Sequence, residues 1–298
     1  MQPELKTDRI NGARLAWFTS ARETTGSDAP PAPTLLFVHA TGFHGRIWDR
    51  QVEAFPNHDC IAFEQRGHGR SEKLAVKNWA TYGRDLSEFT KTLGLSGLIG
   101  IAHSMGAHAM IQAASESDAF DRLLLLDPTV AAPDDYAQGQ ADEWGDELHP
   151  AAKRRNRFDS PQAMREQIGG KSSFPLFEPR ILNDYCEHGL EPDGDGAYRL
   201  CCPPEVEAHV YMSSRSNDAI YDHVAAVDIP VTVVRAKAPK NAGTVDFGAS
   251  PTWPGLAGRF RQGREHHWDD CSHFIPMERP DAVIALLRDE IDAWSASR

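Results

Sequence analysis

The feature that most constrains the fold of this chain is a serine that stands between small residues at the end of an apolar run. Residues 98–101 are apolar, Ala102-His103-Ser104-Met105-Gly106 follows, and residues 107–114 have a helix-forming composition. A chain that turns sharply from strand to helix at Ser104 has no room for large side chains two positions before and after it. Ala and Gly at these positions meet that requirement. The pattern predicts a buried strand, a strained serine and a helix whose N-terminus lies beside the serine hydroxyl.

A serine hydroxyl is a weak nucleophile, so this turn has chemical meaning only if the chain also supplies a base. His273 is the candidate base, because it lies in a loop between a short apolar-polar alternation and a predicted helix at residues 281–294. His266 and His267 are the alternatives, but both fall inside the predicted last strand. A side chain beyond the end of that strand is better placed to reach the serine, which favours His273.

Four motifs follow one another along the chain in a known order. They are His39-Ala40-Thr41-Gly42-Phe43, Arg66-Gly67-His68-Gly69-Arg70-Ser71, Ala102 to Gly106, and Ser272-His273-Phe274 followed by Glu278-Arg279-Pro280. In order and spacing, the chain resembles the serine hydrolase branch of the α/β-hydrolase family over nearly its whole length. The resemblance implies an α/β fold with a mostly parallel sheet flanked by helices and a helical cap inserted between strands 6 and 7. It also implies a triad in which Ser104 attacks and His273 takes its proton.

The resemblance further implies an oxyanion hole made of two backbone amides, those of Thr41 and Met105. Met105 follows the serine, and Thr41 comes shortly after the apolar run Leu35–Val38, which is predicted to be a buried parallel strand. His39 and His103 occupy positions where this family often has histidine. We expect both to fix loops through hydrogen bonds to the backbone.

The acid of the triad is where the chain departs from the commonest pattern of the family. Most members carry Asp after the seventh strand, here residues 229–236, and in this chain no carboxylate follows that strand before Asp246. The sixth strand, Leu123–Leu126, is followed directly by Asp127, 23 residues after the serine. Haloalkane dehalogenases and zearalenone lactone hydrolases carry their acid there at similar spacing, and a carboxylate directly after a buried strand is held rigidly. Asp127 is the predicted acid and Asp246 the reserve, while a turn-capping role is the alternative for Asp127.

Strands and helices alternate along most of the chain, as in a parallel sheet covered on both faces. The alternation begins with residues 14–19, predicted to be an edge strand, and continues to the sixth strand. A polar segment then interrupts it. We therefore predict a hydrolase core, residues 1–132 and 228–298, and a helical cap, residues 133–227.

The cap is where we expect the substrate to be selected. Six aromatic residues are candidates to bind an apolar acyl or aromatic group: Phe43, Trp48, Trp144, Phe158, Phe177 and Tyr185. Packing within the lid is the alternative for each of them. The run Arg154-Arg155-Asn156-Arg157 either grips a substrate carboxylate or forms a solvated, salt-bridged face. Asp193-Gly194-Asp195-Gly196 lacks the ligand pattern of a calcium loop and is predicted to be a turn.

Composition limits the partners that this chain can have. Its 43 acidic and 31 basic residues give a net charge of −12, which disfavours nucleic acid and anionic membranes. No apolar run approaches membrane-spanning length and the first residues lack a signal-peptide core, so we expect a cytoplasmic protein. The five cysteines form no C-x-x-C pair and are expected to be small buried residues. No metal and no cofactor are predicted.

Together these observations predict a serine hydrolase that cleaves a small-molecule carboxylic ester or lactone through an acyl-enzyme. A carbon–carbon bond hydrolase, a perhydrolase or a lyase on the same fold is the alternative. A non-catalytic binding protein is disfavoured, because it has less reason to retain serine, histidine and acid together. A homodimer is left open.

Overall fold

The computed structural model describes residues 3–23, 32–137, 148–239 and 248–298. The strands are β1 (Glu4–Ile10), β2 (Ala13–Ser20), β3 (Thr34–Val38), β4 (Cys60–Glu64), β5 (Leu98–His103), β6 (Phe120–Leu126), β7 (Arg157–Phe158), β8 (Leu190–Pro192), β9 (Tyr198–Leu200), β10 (Val231–Ala236) and β11 (Gly263–Trp268). Within these ranges, eight strands form one sheet in the order β1-β2-β4-β3-β5-β6-β10-β11. Only β2 pairs antiparallel with its neighbours β1 and β4. The predicted mostly parallel sheet is confirmed.

Helices cover both faces of this sheet, as predicted. They are α1 (Asp49–Val52), α2 (Ala80–Thr92), α3 (Met105–Ser115), α4 (Pro133–Ala137), α5 (Pro161–Ile168), α6 (Pro179–His188), α7 (Pro204–Met212), α8 (Ile220–Ala226), α9 (Ile275–Glu278) and α10 (Pro280–Ala296). Buried side chains of α10 belong to one apolar cluster, and those of α2, α3 and α8 belong to a second. The sheet separates the two clusters.

The central strands are apolar over most of their length because both of their faces are covered. In β3, Leu35 and Phe37 pack into the first cluster, whereas Leu36 and Val38 pack into the second. The same alternation occurs in β5 and β6. A strand buried on both faces has a continuous apolar sequence rather than an alternating one. The apolar runs were therefore enough to predict the central strands of the sheet.

The prediction of an edge strand at residues 14–19 is wrong, because β2 lies between β1 and β4. The edge on this side of the sheet is β1, in which every residue except Ile10 is exposed. Its sequence carries no apolar pattern, since neither face of most of the strand packs against anything. The signal that could have found it is Asn11-Gly12, which turns the chain with φ angles of 46° and 77° between the paired residues Ile10 and Ala13.

The segment between β6 and β10, predicted to be a helical cap, contains α4 to α8. Within its described residues it also holds an antiparallel sheet in the order β7-β9-β8, which the sequence did not predict. Strands of two or three residues are too short for a periodic pattern to reveal. Phe177 and Tyr185 of this segment contact Phe43, which follows β3. The segment therefore lies over the carboxyl ends of the parallel strands.

Candidate active site

Ser104 lies at the sharp turn between β5 and α3. Its φ of 56° and ψ of −119° place a non-glycine residue in a rarely adopted region of backbone conformation. A Cβ atom on Gly106 would lie 2.5 Å from the carbonyl oxygen of His39 and 2.7 Å from that of Val38. Ala102 is fully buried in the core. The expected steric limits on both sides of the serine are therefore present.

The structure brings Ser104, His273 and Asp127 into one hydrogen-bonded chain. Nε2 of His273 is 3.0 Å from Ser104 Oγ, and Nδ1 is 2.6 Å from Asp127 Oδ2. Because a carboxylate can only accept, Nδ1 carries the proton and Nε2 presents a lone pair to the serine hydroxyl. All three side chains are buried. The arrangement can remove a proton from Ser104 and stabilise the imidazolium that results.

Asp127 directly follows β6, and its carboxylate is held from two sides. While Oδ2 faces His273, Oδ1 accepts hydrogen bonds from the Ala236 N–H at 3.0 Å and from Ser250 Oγ at 2.5 Å, and Thr252 Oγ1 lies 3.1 Å away. A carboxylate bound at both of its oxygens is held in one orientation. Single hydroxyl residues in a loop carry no sequence signal, so Ser250 and Thr252 were not predicted. The reserve acid, Asp246, lies outside the described residues.

The two amides predicted for the oxyanion hole belong to neighbouring residues. Thr41 follows β3 and Met105 begins α3, and the Thr41 hydroxyl donates to Met105 Sδ at 3.5 Å. Within the described part of the chain, neither amide N–H donates a hydrogen bond. Met105 is the first residue of its helix, where an N–H has no partner inside the helix. Both amides are therefore free to bind an oxygen beside Ser104.

One hydroxyl at the site was not predicted. Thr129 Oγ1 lies 3.0 Å from Ser104 Oγ, and the Thr129 N–H donates to the Ser104 carbonyl oxygen at 3.2 Å. Thr129 comes two residues after Asp127. A threonine in a loop has many ordinary roles, so the sequence offered no reason to single it out.

The histidines beside the site bind backbone groups, as expected. His103 Nε2 is 2.8 Å from the His273 carbonyl oxygen, which holds the loop that carries the base. His39 Nδ1 is 2.8 Å from the Ala40 carbonyl oxygen, and its Nε2 accepts from the Gln65 N–H at 3.1 Å. Burial lowers the pKa of His39 to about 4 and the pKa of His103 well below 6.5. Both rings therefore act as neutral hydrogen-bonding groups at neutral pH.

Three of the predicted substrate-binding residues belong to an aromatic group that reaches Phe274, the neighbour of the base. Phe43 is 5.1 Å from Tyr185 and 6.2 Å from Phe177 between ring centroids, and Phe177 is 5.3 Å from Phe274, the residue after His273. Phe43, Phe177 and Tyr185 are themselves buried, and Trp48 is fully buried against Phe37 of β3.

The other two candidates do not join this group in the same way. Phe158 is buried in β7 with the Arg155 guanidinium 5.2 Å above its ring, which is the packing role that was left open. Trp144 lies outside the described residues.

The arginine run is salt-bridged rather than free. Arg154 pairs with Glu207 and donates to the Tyr185 hydroxyl at 3.0 Å. Arg157 binds Asp193 at 2.9 Å and Asp195 at 2.5 Å, and these acids belong to the predicted turn. The interactions with Tyr185 and Glu207 raise the pKa of Arg154 above its ordinary value.

The Arg154–Glu207 pair lies against the loop after β3. A Cβ atom on Gly42 would be 2.9 Å from Glu207 Oε1 and 3.6 Å from Arg154 Nη1. Gly42 follows Thr41, so the pair limits where that amide can move.

The described residues contain no cluster of three or more His, Cys, Asp or Glu side chains able to hold a metal ion. Across the same ranges, no helix has the length and apolar character needed to cross a membrane. All five cysteines are buried, as expected.

Comparisons with known proteins identify relatives that match most of this chain. Lipase LipV of Mycobacterium tuberculosis is 26% identical over 266 residues, which cover 88% of this chain and 95% of that protein. Esterase YbfF of Escherichia coli is 24% identical over 233 residues, which cover 78% and 82%. The crystal structure of E-2-(acetamidomethylene)succinate hydrolase superposes with a TM-score of 0.75 at 18% identity, covering 98% of this chain and 100% of that chain. At that identity the match shows a shared fold.

The sequence model of one family matches residues 35–286. That range begins in β3 and ends in α10, so it includes the serine turn, both neighbouring amides and the loop of His273. With the fold, the order of the motifs and a match across most of its length in agreement, the chain belongs to the alpha/beta hydrolase family.

Proposed function

We propose that the protein hydrolyses small carboxylic esters, with Ser104 as nucleophile, His273 as base and Asp127 as acid. The observation that carries the proposal is the unbroken chain of hydrogen bonds from Asp127 Oδ2 through His273 to Ser104 Oγ. In this chain Nδ1 of His273 carries the proton and Nε2 accepts from the Ser104 hydroxyl, as nucleophilic attack by Ser104 requires. The proteins named lipase LipV and esterase YbfF support an ester rather than another substrate class.

The first half of the reaction acylates the enzyme. Ser104 Oγ attacks the ester carbonyl carbon while its proton passes to Nε2 of His273. The carbonyl oxygen becomes negative and accepts hydrogen bonds from the amides of Thr41 and Met105, each worth about 10²–10³ in rate. The bond to the alcohol oxygen then breaks, and His273 returns the proton to the departing alcohol.

The second half releases the acid. A water molecule gives one proton to His273 as its oxygen attacks the acyl carbon. Ser104 Oγ then leaves and recovers the proton from His273. The sum is one ester and one water converted to one acid and one alcohol. A lactone is a cyclic ester and follows the same steps, except that its acid and alcohol remain in one molecule.

Residues 133–227 act as the cap in this proposal. Phe177 and Tyr185 of the cap, together with Phe43 and Phe274 of the core, form an aromatic wall next to His273. Such a wall suits an apolar acyl or aromatic group, because it offers area for apolar contact. The cap selects the substrate and supplies no member of the triad.

Turnover of a panel of p-nitrophenyl esters and simple lactones tests the proposal, with Ser104→Ala as the control. We expect hydrolysis of at least one class by the wild-type protein and a loss of several orders of magnitude in the variant. Equal activity in the variant would overturn the triad. No turnover of any ester or lactone, together with peroxide-dependent acyl transfer or carbon–carbon cleavage, would favour the other chemistries of this fold.

A further inference from the structure

The Thr129 hydroxyl lies against the atom proposed to attack the substrate. The distance from Thr129 Oγ1 to Ser104 Oγ is 3.0 Å, equal to the distance from Ser104 Oγ to His273 Nε2. Ser104 Oγ therefore has two hydrogen-bond partners, and only one of them belongs to the triad. Thr129 is half-buried, whereas the triad side chains are buried.

The backbone carries Thr129 to this place by a turn that starts at the acid. Asp127 has a φ of 46°, and the ring of Pro128 fixes the next φ. The Pro128 carbonyl oxygen accepts from Thr252 Oγ1 at 2.7 Å, which holds the turn on one side. The Thr129 N–H donates to the Ser104 carbonyl oxygen at 3.2 Å, which holds it on the other. One short segment therefore delivers both a carboxylate and a hydroxyl.

A buried histidine of α3 fixes the far side of Thr129. His108 Nδ1 lies 3.0 Å from the Thr129 carbonyl oxygen, and Asn217 Nδ2 lies 3.1 Å from His108 Nε2. Because the Asn217 amide donates to Nε2, the imidazole proton is on Nδ1 and is donated to Thr129. Burial lowers the pKa of His108 to about 4, so the ring stays neutral near pH 7. The Thr129 backbone is thus held at both its N–H and its carbonyl group.

The number of available protons determines whether the Ser104 or the Thr129 hydroxyl donates in the contact between them. Asp127 accepts the Nδ1 proton of His273, so Nε2 can only accept, and the single proton of Ser104 goes to it. The remaining contact of Ser104 Oγ is with Thr129 Oγ1. Since Ser104 has no second proton, Thr129 must be the donor whenever the triad is ready to react.

We infer that Thr129 is a further catalytic residue, which donates a hydrogen bond to Ser104 Oγ and holds it in the attacking orientation. The inference rests on the proposed function, because it assigns Thr129 to the same reaction. The bond matters most in the second half-reaction, in which the bond from Oγ to the acyl carbon breaks and negative charge develops on Oγ. The Thr129 hydroxyl stabilises that charge until His273 delivers the proton.

Two substitutions separate the hydroxyl from the shape of the side chain. Thr129→Val removes the hydroxyl and keeps the volume, whereas Thr129→Ser keeps the hydroxyl and removes the methyl group. We would measure kcat and KM with p-nitrophenyl acetate, and the second-order rate of inactivation by a fluorophosphonate. Thr129→Val should lose about 10- to 100-fold in kcat, the effect of one hydrogen bond to a charged group, with little change in KM. Thr129→Ser should recover most of the loss, and thermal unfolding should be similar in both variants.

The possible results are distinct. A Thr129→Val protein that matches or exceeds the wild type would overturn the inference, and so would a Thr129→Ser protein as slow as Thr129→Val. If Thr129→Val does not fold, Thr129→Ala carries the same expectation without adding atoms at the site. A wild-type protein that fluorophosphonate does not label overturns the proposed function and the inference with it. If the wild type and Thr129→Val are labelled at the same rate and have the same kcat, the inference is overturned and the proposed function is not.

Discussion

At the scale of single residues, backbone strain coincides with the proposed chemistry. Ser104 and Asp127 both have positive φ angles, 56° and 46°, a conformation that costs about 1–3 kcal/mol for such residues. The Ser104 N–H donates to the Leu126 carbonyl oxygen at 3.0 Å, and the Asp127 N–H donates to that of Val234 at 2.7 Å. Neighbouring strands therefore hold both residues in place. From these positions both side chains reach the imidazole of His273.

Asp127→Asn tests whether Asp127 is the acid of the triad. The amide has the same shape and its oxygen can still accept from Ala236, so we expect the protein to fold. Because no carboxylate then fixes the proton on Nδ1 of His273, kcat should fall about 10⁴-fold. Ester turnover and the midpoint of thermal unfolding would be measured together. Asp246→Asn is the matched control and should change kcat little; the reverse result would move the acid to Asp246.

The site residues that directly follow buried strands could be predicted from the sequence. Ser104 and Asp127 each follow an apolar run, so their positions at one edge of the sheet could be predicted. Thr129, Ser250 and Thr252 could not be predicted, because their roles depend on loops that meet only in the folded chain. A single hydroxyl residue has no periodicity and no characteristic neighbours.

At the scale of elements, the loop after β3 lies against the segment between β6 and β10 at Gly42. This residue has a φ of 79°, and a Cβ atom there would lie 2.9 Å from Glu207 Oε1. Gly194 has a similar φ of 86°, but a Cβ atom there would meet nothing within 4 Å. The two glycines therefore share the backbone conformation and differ in their surroundings.

Substituting both glycines separates strain from displacement of the loop. Gly42→Ala and Gly194→Ala should each lower the free energy of unfolding by about 1–2 kcal/mol, the cost of this conformation for an L-residue. Only Gly42→Ala should also lower kcat, by about 10-fold or more, because it shifts the Thr41 amide. Urea unfolding and ester turnover measure the two effects. Equal kcat in both variants would show that the contact with Glu207 does not position the loop.

A second prediction concerns the aromatic wall formed by Phe43, Phe177, Tyr185 and Phe274. Phe177→Ala enlarges the space beside Phe43 and Phe274, so the ratio of kcat/KM for bulky to short esters should rise about 10-fold. Leu176→Ala is the control, since Leu176 is the exposed neighbour of Phe177 in the same cap segment. A ratio that stays constant in Phe177→Ala would mean that this wall does not select the acyl group.

Elements were predictable where burial leaves a pattern. The strands β3 to β6 and the helices α2, α3 and α10 are long and pack on the core, and their apolar positions follow from that packing. The exposed strand β1 and the short strands β7 to β9 leave no such pattern. The turn at Asn11-Gly12 sets the position of β1, and β7 is placed by pairing with β9, which is distant in sequence.

At the scale of the whole molecule, buried histidines link stability to pH. Burial lowers the pKa of His39 and His108 to about 4 and the pKa of His68 to about 3, against 6.5 in an unfolded chain. These groups favour the folded state fully above pH 6.5. As the pH falls through 6.5 toward 4, the unfolded chain binds protons that the folded chain does not, so stability is lost. Asp184, whose pKa burial raises to about 6, acts in the opposite sense.

We therefore expect a lower free energy of unfolding at pH 5.5 than at pH 7.5. Each histidine contributes at most about 1.4 kcal/mol per pH unit, and the three of them outweigh Asp184. Urea unfolding at both values, with the same dependence on urea concentration, gives the difference. A protein that is equally stable or more stable at pH 5.5 would contradict the assignment of these rings as buried and neutral.

One serine, set on a strained turn beside His273, is proposed to attack the substrate. Reaction with a fluorophosphonate, followed by intact-mass and peptide mass spectrometry, tests this proposal most directly. We predict a single adduct on Ser104, abolished in Ser104→Ala and formed far more slowly in Asp127→Asn, where the base is no longer oriented. An adduct that persists in Ser104→Ala, or that maps to another residue, would contradict the account.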